Sequence, residues 1–362
     1  MIKSAFRSIS GFQEAGYSRG LFALSFLIVL SGCRKKPGAE SVVSGDVYVS
    51  GGVASGGKTS ATIWGNGVSA TLPNNGADVI YSLGQSAAIS GNTVYVAGYY
   101  EPANGDETPM LWQNGVGEAL QTTGAVSRAT AITVQGSDVY IAGGYIANSL
   151  DYACYWKNGI PTTLTDQGIY GAYATAIAVQ GSTVYVAGFS YTQNSQTAVY
   201  WVNGVEYFLT DSNSVYSTAT GIAVSGTDVY VLGWVQRYSV STATYWLNGN
   251  PFHLSDTTLS TRASGITVDG GDIYVSGAGL NITGNPSFIV SSYLMYWKNN
   301  TLQNPADSSS SNASLTVGSI AVSGSNVYIA GTSNNQAVYW KNGVPVQLTN
   351  VNSVGMGIAV AP

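Results

Sequence analysis

Between Gly221 and Leu254 the apolar and polar positions follow a fixed order. Gly221-Ile222-Ala223-Val224 is an alternating run of small and β-branched residues, Ser225-Gly226-Thr227 is a turn, and Asp228-Val229-Tyr230-Val231-Leu232-Gly233 is a second run. The link between the two runs is too short for anything but a hairpin. A longer link leads to Ala243-Thr244-Tyr245-Trp246, then Asn248-Gly249, then Pro251-Phe252-His253-Leu254. Asn-Gly between apolar runs is a strong hairpin signal, because both residues tolerate positive φ. The pattern predicts a four-stranded antiparallel meander, A to D. It recurs seven times at a period of roughly 45 residues. The second runs carry Tyr48, Tyr95, Tyr140, Tyr185, Tyr230, Tyr274 and Tyr328, and the third runs Trp64, Trp112, Trp156, Trp201, Trp246, Trp297 and Trp340.

The ends of the repeat region are out of phase. The first unit opens at Asp46-Val47-Tyr48-Val49, a B strand with no A strand before it, and the last closes at Gly357-Ile358-Ala359-Val360, an A strand with no B strand after it. Pairing these two would complete one unit and leave no free edge. Four strands at this period, with no helical periodicity between them, resemble the blades of a β-propeller. The Gly-His and Trp-Asp marks of WD40 repeats and the paired glycines of kelch repeats are missing. The succession Tyr-Trp-x-Asn-Gly, Leu-Thr, Ala-x-x-Ile-x-Val-x-Gly, Val-Tyr-Val-x-Gly resembles the HAF-type repeats of bacterial extracellular proteins over residues 46–362. The expected fold is all-β: a seven-bladed propeller closed by its terminal strands. The A strands, built from small residues such as Ala174 to Val179, belong nearest the axis. The Trp residues belong in the core, and Asn66, Asn114, Asn158, Asn203, Asn248, Asn299 and Asn342 in the C-to-D turns.

Residues 1–32 break the pattern. Lys3, Arg7 and Arg19 precede an apolar run from Leu21 to Leu30, too short for a permanent transmembrane helix. Leu30-Ser31-Gly32-Cys33 resembles the bacterial lipobox, which implies cleavage before Cys33 and acylation of its thiol. The alternative is an ordinary secretory signal with a chance cysteine. The expected organisation is a signal peptide over 1–32, a lipidated Cys33 with a tether over 33–45, and the propeller over 46–362. Arg34 stands where the resemblance would put an aspartate as an inner-membrane retention mark. The expected location is therefore the outer membrane, on its periplasmic or cell-surface side.

The chain has 13 Lys and Arg against 18 Asp and Glu, a net charge of −5, and charged residues make up 9% of it. Removing residues 1–32 takes away three bases and one acid, so the body is more acidic still, which argues against nucleic acid as a partner. The one other cysteine, Cys154, stands where other repeats have Val199, Thr244 or Val338, and reads as an apolar filler. A monomer without a disulfide or a cofactor is expected.

Strand geometry sends the A-to-B and C-to-D turns to one face and the longer, variable B-to-C and D-to-A loops to the other. Tyr99, Tyr100, Tyr145, Phe189, Tyr191, Trp234 and Tyr238 follow B strands onto the loop face, and Tyr170, Tyr173 and Tyr216 approach it from D-to-A loops. Such rings suit glycans, peptides or proteins, although they also suit packing of the loops themselves. Arg128 and Arg262 precede Ile132 and Ile266 by four residues; Gln85, Tyr173, Thr218, Thr316 and Val354 are the expected counterparts. Two guanidinium groups beside one channel mouth could hold an anion, with Tyr173, Trp234 and Phe189 at hand; solvated, unpartnered arginines are the simpler reading. The Asn-Gly face should be featureless.

No catalytic constellation emerges. The single histidine, His253, falls on an outer D strand, and zinc, copper and haem lack ligands. Asp78, Glu101, Asp106, Asp151, Asp166 and Asp211 lie in variable loops with nothing to pair them. Asp138, Asp228 and Asp272 read as hairpin residues, and Asp269-Gly270-Gly271-Asp272 is too short for a calcium loop. Ligand binding on the loop face is the leading expectation. An extracellular hydrolase or lyase using carboxylates at the channel mouth is the alternative, and a structural envelope component is a third reading.

Overall fold

The computed structural model describes residues 42–362 except 75, 123, 165–169, 194, 212–213, 255–259, 284–287 and 304–314. Cys33, the expected signal peptide and Asp166 lie outside the described residues. The described residues form 28 strands, numbered in chain order, and no helix.

One meander shows how the pattern becomes structure. Strands β16 (Tyr216–Ser225), β17 (Asp228–Arg237), β18 (Val240–Leu247) and β19 (Asn250–His253) pair antiparallel in that order. Ile222 faces Val231, Val231 faces Trp246, and Trp246 faces Pro251. The same arrangement starts from inner strands β4 (Val79–Ser90), β8 (Ser127–Gln135), β12 (Ala172–Gln180), β20 (Ser260–Asp269) and β24 (Thr316–Ser323). Their partners are β5 (Thr93–Pro102), β9 (Asp138–Ala147), β13 (Thr183–Tyr191), β21 (Asp272–Thr283) and β25 (Asn326–Ser333). The chain ends supply a further set. Strand β28 (Ser353–Val360) pairs antiparallel with β1 (Val47–Ser55), Ile358 opposite Val49, and β1 continues to β2 (Lys58–Gly65) and β3 (Val68–Thr71). A single parallel bridge, Thr59 to Tyr81, joins this set to the one begun by β4. The inner strands pack in succession: β4 on β8, β8 on β12, β12 on β16, β16 on β20, β20 on β24, β24 on β28, and β28 on β4.

The C-to-D turns have the geometry that the Asn-Gly pairs dictate. Asn248 and Gly249 both have positive φ, 50° and 85°. The asparagine does more than turn. Its Oδ1 accepts a hydrogen bond from the Val229 amide at 2.9 Å, and its Nδ2 donates to Asp228 at 2.9 Å. The amide contact recurs at Asn66, Asn114, Asn158, Asn203, Asn299 and Asn342, so each of these side chains ties the C-to-D turn to the start of a B strand.

The core lies between neighbouring meanders. Ala176, Ala187 and Ala198 of one pack with Ile222, Val231 and Trp246 of the next. All seven Trp residues of the repeat are buried. The indoles of Trp112 and Trp156 donate at 2.7 Å to the carbonyls of Pro73 and Gln121, in the loop leaving the preceding meander. Each inner strand carries an irregularity that sets one residue apart from the ladder, as at Thr130, Thr175 and Thr220. The hydroxyl of Thr130 reaches the carbonyls of Ala142 and, on the neighbouring inner strand, Ala174, both at 3.0 Å. Thr175 and Thr220 reach Ala219 and Ala263 likewise. Opposite the irregularity only glycine fits: a Cβ on Gly233 would lie 1.9 Å from the Thr218 carbonyl oxygen.

Candidate functional site: the axial cavity and its loop-side mouth

The irregular residues of the inner strands fall outside the ladder register and line a shared cavity. About 480 Å³ in volume, it is lined by Gln85, Thr130, Thr175, Thr220, Ser264, Ser319 and Met356, with Ile132, Ile177, Ile222, Ile266 and Ile320 beside them. The hydroxyl belt is therefore a product of the same local geometry that stitches the inner strands together. Arg262 and Trp234 complete the lining at the end where the B-to-C loops begin. No carboxylate lines this cavity among the described residues.

Arg262 stands on β20, and its guanidinium lies over the Trp234 ring, 4.6 Å from the centroid. Trp234 in turn stacks on Tyr216 at 5.3 Å. Arg262 is exposed and has no ion-pair partner among the described residues. A cation held against an aromatic face, with its donors directed by that stack, keeps its charge while losing much of its freedom.

Arg128 occupies the corresponding place on β8, 5.0 Å from the centroid of Tyr99, but it is already matched. Glu107 receives its Nε and Nη2 in a two-pronged ion pair, and this partner pushes the guanidinium pKa up. The expected two-arginine grip is thus corrected to one: Arg128 is neutralised within its own corner, and Arg262 alone reaches the cavity lining. Glu107 was missed because nothing in its local sequence distinguishes it from Glu101 or Asp106; only the fold brings it beneath Arg128.

The register explains these stacks. A residue at one inner-strand position covers a B-strand position of the preceding meander: Arg128 covers Tyr99, Arg262 covers Trp234, Tyr173 covers Gly144, and Leu83 covers Gly52. A Cβ on Gly144 would sit 3.1 Å from the Tyr173 ring, and one on Gly52 would sit 3.0 Å from Leu83. The counterpart of Arg128 in the first inner strand is therefore Leu83, which faces Tyr99, and not Gln85. Gln85 instead sits at the strand irregularity and lines the cavity. The spacing to Ile89 misled because Ala87, opposite Val96, is the true equivalent of Ile132.

Around Arg128 gather Tyr99, Tyr173 and Asp151. Burial pushes the Tyr99 hydroxyl pKa up to about 12 and raises that of Tyr173, while burial also raises Asp151 against the pull of Arg128. Tyr99 stacks on Tyr81 at 6.0 Å and Phe189 on Tyr173 at 5.8 Å, with Tyr191 edge-on at 5.4 Å. Phe189 therefore belongs to this corner. Tyr145 does not: it stacks on Tyr152 at 5.2 Å, and its hydroxyl meets Thr163 of an outer strand at 3.0 Å.

His253 lies on the outer strand β19 in a closed polar cluster. Its ring nitrogens meet Thr244 Oγ1 at 3.0 Å and an Nη2 of Arg237 at 3.1 Å, and that Nη2 donates to both oxygens of Asp211. The Asn-Gly face is not featureless. Lys157 and Lys298 pair with Asp138 and Asp272 at 2.9 and 2.7 Å while lying over Tyr140 and Tyr274, and Lys341 lies over Tyr328. The Lys157 and Lys298 pairs satisfy themselves, whereas Lys341 has the Tyr328 ring beside it and no ion-pair partner among the described residues. Cys154 is buried, and its thiol pKa is raised by burial. Among the described residues no group of three potential metal ligands occurs.

No family model matches the sequence, and no curated protein matches it. Solved structures do resemble the fold. The β-propeller domain of the Trilobed protease from Pyrococcus furiosus, described as having an open velcro topology, is 9% identical, with a TM-score of 0.50 over 86% of this chain and 97% of that one. A Mycobacterium tuberculosis puromycin-hydrolyzing peptidase is 10% identical, with a TM-score of 0.50 over 85% of this chain and 53% of the peptidase, about half its length. The fold is a β-propeller of antiparallel meanders. At these identities the likeness carries the fold alone.

Proposed function

We propose that the chain is a closed seven-bladed propeller, tethered to the bacterial outer membrane through acylated Cys33, that binds a ligand bearing an anionic group at the loop-side mouth of its axial cavity. Support for closure comes from the pairing of β28 with β1 and from the succession of inner strands that returns from β28 to β4. Support for the anchor is Leu30-Ser31-Gly32-Cys33 after an apolar run. The observation that carries the binding site is Arg262: an exposed guanidinium, oriented on Trp234, with no ion-pair partner among the described residues, at the rim of a hydroxyl-lined cavity of ligand size. A carboxylate or phosphate on a glycan or peptide is the group such a fork receives best. The hydrolase or lyase reading draws no support from the cavity, whose described lining offers no carboxylate.

The test is calorimetric titration of the full chain in detergent micelles with glucuronate and with a short peptide carrying a free carboxylate. Arg262→Ala is expected to weaken the bound one by about 1.5–3 kcal/mol, the range for a hydrogen bond to a charged group, and Lys157→Ala on the far face to leave it unchanged. Binding indifferent to Arg262→Ala refutes the site. Mass spectrometry of the mature protein tests the anchor separately: an unmodified Cys33 refutes it, and Cys33→Ser should release the body from the membrane fraction.

A further inference from the structure

On the same loop face lies a second cavity, of about 460 Å³, where the chain ends meet. Its walls come from β1 (Gly52, Ala54), β2 (Thr59) and β4 (Tyr81) on one side, and from β24 (Thr316), β25 (Thr332) and β28 (Ser353, Val354) on the other, with Asn335 and Asn352 from the adjoining turns. It exists because the positions filled elsewhere by Arg, Tyr, Phe and Trp are here Gly52, Thr332, Thr316 and Val354.

The chemistry of the walls is specific. None of the described lining residues is charged, so among them an ionic ligand would be desolvated without a partner. Among the described residues the side chains of Thr59, Thr316, Asn335 and Asn352 find no hydrogen-bond partner, whereas the Ser353 hydroxyl is already bound to the Ala337 amide and the Val351 carbonyl. Two amides, each able to donate and accept, and two hydroxyls thus remain open. Tyr81, the threonine methyls, Ala54 and Val354 supply apolar surface. A ligand that matches must present several neutral groups, each both donor and acceptor, beside a compact C–H face.

We infer that this seam cavity is a binding site for a neutral saccharide, independent of the anion site at Arg262. Its occupant would touch strands from both ends of the chain at once, so it would bind only when β28 is seated on β1. Binding should then raise the melting temperature of the ring in proportion to saturation.

The experiment is ligand-observed NMR and thermal unfolding of the full chain with a panel of neutral sugars: glucose, galactose, mannose, fucose, N-acetylglucosamine, lactose and maltose. Glucuronate and glucosamine serve as charged controls. At least one neutral sugar is expected to bind at millimolar concentration or better and to raise the melting temperature. Thr59→Val with Asn352→Ala removes two open groups that have no partner among the described residues, so its unliganded melting temperature should match wild type while sugar affinity falls about tenfold or more. Gly52→Val, whose side chain would press on Leu83 and on Thr59 of the cavity wall, should abolish the shift. Arg262→Ala should leave neutral-sugar binding intact while removing any glucuronate binding, which separates failure of this site from failure of the axial one. The inference is overturned if no neutral sugar binds, if the double variant binds as wild type does, or if a charged control binds in a manner sensitive to Thr59 and Asn352.

Discussion

The loop face has two unlike halves built on one backbone. From β4 to β20 the inner-strand and B-strand positions nearest the loops carry Leu83 and Tyr99, Arg128 and Gly144, Tyr173 and Phe189, Thr218 and Trp234. Their side chains interlock across meanders: arginine over an aromatic ring, a large residue over glycine. From Thr316 round to Gly52 the same positions hold Thr316, Thr332, Val354 and Gly52, and a cavity opens in their place. A repeat thus makes a site by leaving side chains out as readily as by adding them. The crowded half spends its charge internally through Arg128 and Glu107, and among its described residues Arg262 is the cation that lines the axial cavity.

This contrast depends on the seam being held shut, and the most disruptive test is to open it. Deleting residues 355–362 removes buried Ile358, Ala359 and Ala361 and exposes the edge of β1. The loss is expected to exceed the roughly 3–5 kcal/mol of a single large core truncation, with the seam cavity gone. An unchanged thermal midpoint would break the comparison at its root. Trp246→Ala, in the crowded half, is expected to cost about 3–5 kcal/mol in urea unfolding while leaving neutral-sugar binding at the seam intact, because it lies between different meanders.

Glu107→Gln sharpens the comparison instead. It removes the partner of Arg128, with a stability cost of about 1 kcal/mol or less for a pair open to solvent on the arginine side. Titration with glucuronate should then detect a gain in affinity or a second anion site beside Tyr99; no gain would mean that Arg128 is unavailable for a reason other than Glu107. The smallest effect is in pH. Burial raises the Tyr99 pKa from 10.0 to about 12, which favours the neutral form in the folded state. Its contribution is fully present below about pH 10 and is lost as the pH rises through about 12, since only the unfolded chain ionises freely. Tyr99→Phe should therefore flatten the alkaline fall in the urea midpoint, and an identical fall in wild type and variant would show that Tyr99 is not a source of it.

The sequence by itself determined the parts governed by local rules. Alternation of small and β-branched residues defined the strands, Asn-Gly pairs defined the turns, and the period placed Trp246 and its six counterparts in the core, because strand pairing and turn geometry are decided within a few residues. The orphan strands at Val47 and Ile358 were legible too, since phase is a property of the repeat. The axial corner was half legible: Arg262 and Trp234 stand in the cavity lining where their places in the repeat put them, whereas Phe189, expected beside Trp234 at the same depression, stacks on Tyr173 instead. What only the tertiary structure decided is which side chains meet across meanders. The neutralisation of Arg128 by Glu107, the exchange of Gln85 for Leu83, the withdrawal of Tyr145 to Thr163 and the seam cavity between Thr59 and Thr316 all join residues from separate strands. Counting spacings aligned the repeats to within two residues, and on a pleated strand with an irregularity two residues suffice to replace a stacking position by a cavity-lining one.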